Sequence, residues 1–188
     1  MTKLLTLLMI PVFAVGEAPA EARPFTEAEV APLFTTGPAS RALDDFQGGR
    51  YEAAAKGFQG VDEPAARYLR ALALVEAGRG PDALKAFAGL EEALPDLADR
   101  VAFSRARTHE LMGESRTAAA AYGGVKMGSI LWAEAQLAQA RALQRVGDRI
   151  GALDAMASIL SLPAPEELTR GDPASEALLL TGRLRAAG

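Results

Sequence analysis

The sequence predicts an all-α fold made of repeating helical hairpins, on three observations. Alanine supplies 40 of the 188 residues, and alanine loses no side-chain entropy when it enters a helix. Aromatic residues make up only 6% of the chain, and Val, Ile and Thr are sparse, which argues against a sandwich or barrel. Four glycines close apolar-periodic segments: Gly49, Gly78, Gly113 and Gly147, at spacings of 29, 35 and 34 residues. Spacings of this size are those of helical repeats.

Other positions keep phase with these glycines. Seven residues before each lies an alanine: Ala42, Ala71, Ala106 and Ala140. Five after each lies another: Ala54, Ala83, Ala118 and Ala152. Nine after lie the large residues Phe58, Phe87, Tyr122 and Met156, and twelve after lie the aliphatic Val61, Leu90, Val125 and Ile159. Small residues let two helix backbones approach, and the large residue fills the space toward the next pair. Glycine ends the first helix of each pair because it takes the left-handed conformation without a Cβ clash.

The elements follow in order. Met1-Thr2-Lys3, the apolar run Leu4 to Val15 and the small residues Ala14, Gly16, Ala18, Ala20 and Ala22 read as a signal peptide over residues 1–22. The run has 12 residues, fewer than the roughly 20 that span a bilayer. Residues 23–37 read as a lead-in with a short helix, for which Thr26 and Glu29 offer a capping box. The repeat region covers 38–188, in units 38–61, 65–94, 96–125, 129–160 and 173–188. Pro38 opens a helix ending near Gln47, paired with Tyr51 to Gly60. Ala65 to Ala77 pairs with Pro81 to Leu94, with Pro81 in the first turn. Asp96, Ser115, Ser129 and Asp148 are read as N-caps of the next four helices, which run to Met112, Tyr122, Val146 and Leu160. Pro163 and Pro165 start a loop to Gly171. A last helix, Ala174 to Ala187, resembles the first half of a fifth pair. Its Leu178, Leu179, Leu180 and Leu184 call for a partner, so the chain is expected to be the front part of something longer.

Composition bounds the function. The net charge is −4, with no basic stripe, so no nucleic-acid partner is expected. The chain has no cysteine, which removes disulfides, thiolate metal sites, cysteine nucleophiles and a lipoprotein anchor. His109 is the single histidine and cannot form a metal cluster alone; it is read as packing. Asp44-Asp45 and Glu91-Glu92 are neighbours on helices, pointing about 100° apart, and read as solvated faces. Gly48-Gly49 and Gly123-Gly124 lack phosphate-loop context and read as helix ends. Trp132 is read as packed between hairpins. No cofactor, metal or catalytic residue is expected.

The phase pattern resembles the tetratricopeptide superfamily, in degenerate form. The family's first-helix tryptophan is missing, and its tyrosine slot holds Asp45, Leu74, His109 and Leu143. The resemblance implies a right-handed superhelical stack of about four hairpins plus a final helix. A narrower resemblance rests on Ala93-Leu94-Pro95-Asp96-Leu97-Ala98-Asp99-Arg100 and Gly128-Ser129-Ile130-Leu131-Trp132-Ala133-Glu134-Ala135. These strings look like the N-terminal helical region of soluble lytic murein transglycosylases of Gram-negative bacteria, over roughly residues 23–188. That implies a periplasmic scaffold ahead of a lysozyme-like domain that cleaves peptidoglycan, with a protein or peptidoglycan-associated partner. After signal cleavage no stable membrane insertion is expected. The family's catalytic Glu-Ser pair has a Gly-Leu-Met-Gln context. Here Glu114-Ser115 is followed by Arg116-Thr117-Ala118, so no catalytic role carries over and no enzymatic activity is implied. The alternative is a stand-alone periplasmic adaptor in envelope assembly or division. In tetratricopeptide stacks the first helices line the concave groove. Counting in phase puts Arg107 and Arg141 at one equivalent position there, with Glu110 and Gln144 three residues on and Arg100 and Arg145 nearby. Arginines so placed suit carboxylate-bearing partners.

Overall fold

The computed structural model describes residues 34–162 and 172–186. The expected signal peptide, the Thr26–Glu29 capping box and the loop from Pro163 to Gly171 lie outside these residues. Ten helices follow in order among the described residues: α1 (Gly37–Gln47), α2 (Tyr51–Gly57), α3 (Pro64–Glu76), α4 (Gly80–Phe87), α5 (Leu90–Ala93), α6 (Ala98–Leu111), α7 (Ser115–Gly123), α8 (Trp132–Arg145), α9 (Arg149–Leu160) and α10 (Pro173–Ala186). No strand occurs among them.

The four phase glycines make one and the same turn. Gly49, Gly78, Gly113 and Gly147 have φ of +73°, +74°, +78° and +80°. At each, the following N–H reaches back to the carbonyl four residues before the glycine: Arg50 to Asp45 (2.8 Å), Arg79 to Leu74 (2.8 Å), Glu114 to His109 (3.0 Å) and Asp148 to Leu143 (3.0 Å). The glycine N–H itself donates three residues back, to Phe46, Val75, Glu110 and Gln144. This is the Schellman closure, which satisfies the last carbonyls of a helix and reverses the chain. A Cβ at any of these glycines would meet nothing within 4 Å. The requirement for glycine there is therefore one of backbone conformation, not of space.

The turns pair α1 with α2, α3 with α4, α6 with α7 and α8 with α9, and each pair packs on the next. First helices also touch each other, α1 on α3, α3 on α6 and α8 on α10. The phase positions form the core. All eight in-phase alanines are buried, as are Phe58, Phe87, Tyr122 and Met156. Leu90, Val125 and Ile159 are buried too, whereas Val61 is only half-buried. Close approach is visible at Gly57, where an added Cβ would sit 2.8 Å from the Cβ of Ala42. Trp132 is buried, as expected.

Several boundaries differ from expectation. The helix expected over 81–94 is two helices, because Ala88 is extended (φ −57°, ψ 127°) and Gly89 is left-handed (φ +72°). The Ala88 carbonyl, freed from the helix, accepts from Arg67 Nη2 at 2.8 Å. The helix from Tyr51 stops at Gly57, before the left-handed Gly60. Asp96 and Ser115 cap nothing; Asp96 lies in a 3-10 turn, Pro95–Leu97, and Ser115 is the first residue inside its helix. Ser129 Oγ accepts from Leu131 N at 3.0 Å, but α8 begins only at Trp132. Asp148 is a true N-cap, accepting from Gly151 N at 2.9 Å. On α10, Leu184 is buried against α8 and α9 rather than waiting for a partner, while Leu178 and Leu179 are exposed.

Candidate functional site

Three of the four arginines singled out on the first helices are already engaged. Arg107 Nη2 lies 3.3 Å from Glu76 Oε1, joining α6 to α3. Arg145 Nη1 lies 2.5 Å from Glu110 Oε1, joining α8 to α6. Arg141 pairs with Glu176, joining α8 to α10. The structure thus brings Arg107, Glu110, Arg141 and Arg145 into a ladder of ion pairs between successive first helices. Arg100 and Gln144 are exposed and stand outside it. A guanidinium with its own carboxylate offers little to a ligand, so the ladder braces the fold. Each rung is half-exposed and contributes no more than about 1 kcal/mol.

Glu110 is the best-held rung. Its second oxygen accepts from the Tyr122 hydroxyl at 2.7 Å. Burial alone would raise the Glu110 carboxyl, but hydrogen bonds from Arg145 and Tyr122 and the arginine charges outweigh it and hold the group below its usual range. Burial first, and then the Glu110 carboxylate, push the Tyr122 hydroxyl well above the usual phenol range, so it remains a donor. The depressed Glu110 value means that its stabilisation is fully present above the unfolded glutamate range, about pH 4.3. It is lost as pH falls through the lower folded value. Glu110→Gln is expected to cost about 1 kcal/mol at neutral pH. It should also flatten the acid limb of the stability profile, measured by urea unfolding between pH 3 and 7. An unchanged acid limb would remove Glu110 as its source.

Some of the remaining charged groups pair as well. Asp45 takes Arg50 Nε at 2.7 Å, and Glu91 takes Arg105 Nη1 at 2.5 Å. His109 Nδ1 donates to Glu114 Oε2 at 2.7 Å across the turn, a structural use of the ring. Among the described residues no group of three or more His, Asp or Glu is placed to hold a metal ion.

Two of the clefts that open between helices have helix-borne arginines in their walls. One, of about 280 Å³, lies between α8 and α10, lined by Leu137, Arg141, Glu176, Leu179 and Arg183; its Arg141 and Glu176 neutralise each other. The other, of about 480 Å³, lies between α2 and α3, with Glu52, Lys56, Arg70, Leu74 and Arg79 on its walls. Arg70 is unlike the ladder arginines. Its Nε is shut away from solvent with no hydrogen-bond partner, a condition that costs about 1–3 kcal/mol. Among the described residues no carboxylate pairs with it.

Sequence reasoning passed over Arg70, although the phase count contains the signal. Arg41, Arg70 and Arg105 all stand eight residues before a phase glycine. It also passed over the aromatic partners of the large anchors. Tyr68 and Phe103, both ten residues before a phase glycine, meet Phe87 and Tyr122 at ring-centroid distances of 6.2 and 5.4 Å.

Comparison of the chain with protein-family models and with curated proteins finds no match.

Proposed function

We propose that this chain is a non-catalytic, exported helical-repeat scaffold: a tetratricopeptide-like stack that serves as the helical region of a lytic transglycosylase-like cell-wall protein. The observation that carries the reading is the in-phase core. Alanine, alanine and a large residue recur buried around four identical turns, which is how stacked repeats share a continuous core. The cell-wall assignment rests on the resemblance of the strings beginning at Ala93 and Gly128, and the periplasmic location on the signal-peptide reading of residues 1–22. Among the described residues no helix is long and apolar enough to cross a membrane. Co-sedimentation with purified peptidoglycan sacculi tests the reading, together with zymography on the same material. Binding without a cleared band is expected. A cleared band would make the chain an enzyme, and full recovery in the supernatant would remove the cell-wall assignment.

The second reading is a stand-alone periplasmic adaptor. It is favoured by the apolar residues between the third and fourth pairs, where Met127 is 72% and Ile130 79% exposed. Loss of sacculus binding with a defined protein partner bound through these residues would support it.

A further inference from the structure

We propose that the cleft between α2 and α3 binds a carboxylate carried on a small apolar group, with Arg70 as the anchoring cation. The repeat itself supplies the comparison. Arg105 occupies the position of Arg70 one unit later, and there Glu91 neutralises it at 2.5 Å. Glu91 stands thirteen residues after Gly78; the residue thirteen after Gly49 is Asp62. Asp62 does not pair with Arg70. Two local differences account for this. Glu91 is carried on α5, whereas Asp62 lies in the non-helical link before α3, and its side chain is one methylene shorter. The internal carboxylate that satisfies this arginine in one unit is therefore withdrawn in the other, and a cleft of about 480 Å³ stands beside it.

The lining narrows the ligand. Arg79 is engaged by Asp82 at 2.5 Å and by Glu52 at 3.6 Å, which leaves Arg70 and Lys56 as the cleft's cations without an ion pair among the described residues. With Nε shut away, Arg70 offers its terminal Nη1 and Nη2 pair, a fork that matches the two oxygens of a carboxylate. Glu52 on the rim disfavours a second negative charge, so a monoanion suits the cleft better than a phosphate dianion. Ala55 and Leu74 provide apolar wall beside the cations. The site lies between the second helix of one pair and the first helix of the next, away from the ion-pair ladder. It does not depend on the cell-wall assignment: sacculus binding and the cleft can fail separately.

The test is a titration of the isotopically labelled full chain, followed by NMR, with N-acetyl-Ala-Ala, its C-terminal amide, and inorganic phosphate. Saturable shifts around Lys56, Arg70 and Leu74 are expected with the free acid, none with the amide and weaker ones with phosphate. Arg70→Gln should weaken the acid at least about tenfold, the scale of one charge-assisted hydrogen bond, and Arg70→Lys should weaken it less. Arg105→Gln should leave affinity unchanged. Because Arg70 has no internal partner and its Nε is buried unbonded, Arg70→Gln should not lower the unfolding temperature, whereas Arg105→Gln, which breaks the pair with Glu91, should lower it. Equal binding of the amide, tighter binding of phosphate, no saturable shift by about 10 mM, or unchanged affinity in both Arg70 variants would each overturn the proposal.

Discussion

Phe87→Ala is expected to destabilise the chain by about 3–5 kcal/mol. Phe87 is 1% exposed, sits nine residues after a turn glycine, and packs with Tyr68 inside the cluster shared by the first two helix pairs. Truncation removes a large apolar surface and leaves a cavity that the surrounding alanines are too short to fill. The aromatic contact with Tyr68 is lost as well, worth about 0.5–1.5 kcal/mol where the geometry is favourable. For a chain of this size the melting temperature should fall by about 10 °C. Native-state hydrogen exchange should show the loss concentrated in α3 and α4, because repeat units couple mainly to neighbours. A cost below about 1 kcal/mol would mean that Phe87 is not the anchor of its pair.

Ala106→Leu is the reverse experiment and should cost at least about 1–3 kcal/mol. Ala106 is fully buried, in one cluster with Ala118 and Ala119 of the partner helix. Three extra carbons cannot enter there unless α6 and α7 move apart, and the Arg145–Glu110 and Arg107–Glu76 rungs attached to α6 resist that movement. Ala120→Leu is the control. Ala120 is exposed on α7, so its replacement should change stability by no more than about 0.5 kcal/mol. Urea unfolding of the two variants reads the difference directly. Equal costs would show that burial at the phase alanines does not determine the packing.

These two residues also show what could be read in the sequence. Their phase with Gly78 and Gly113 is a one-dimensional signal, and it survives because every unit solves the same packing problem with the same residue sizes. The turn glycines were legible for the same reason. The break at Ala88 and Gly89 was not, since the carbonyl it frees finds its partner in Arg67, 21 residues away. Asp96 and Ser115 have the chemistry of caps, but the chain enters α6 through a 3-10 turn and enters α7 from Glu114. The site was less legible than the fold. Arg107, Arg141 and Arg145 were expected on first helices as groove sites for an incoming carboxylate; they lie on α6 and α8, each paired with a carboxylate of the chain itself. Their partners Glu76, Glu110 and Glu176 are contributed by adjacent units 31 to 35 residues away, and spacing alone does not distinguish a bound carboxylate from an internal one. Arg70 keeps phase with Arg41 and Arg105 in the sequence, but what sets it apart from Arg105, the missing partner, is a property of three dimensions.

Deleting one whole period tests the central claim most directly. Removing residues 79–113 takes out the 35 residues between Gly78 and Glu114. It joins α3 to α7 through the same glycine turn, with Ala71 and Ala118 kept in phase. Circular dichroism with urea unfolding should report a helical chain that still unfolds cooperatively, at a lower denaturant midpoint, because repeat stability is close to a sum over units and their interfaces. A deletion of half that length at the same place should abolish cooperative unfolding. If the whole-period deletion instead loses its cooperative transition as completely as the half-period one, the helix pairs are not interchangeable units and the repeat account is wrong.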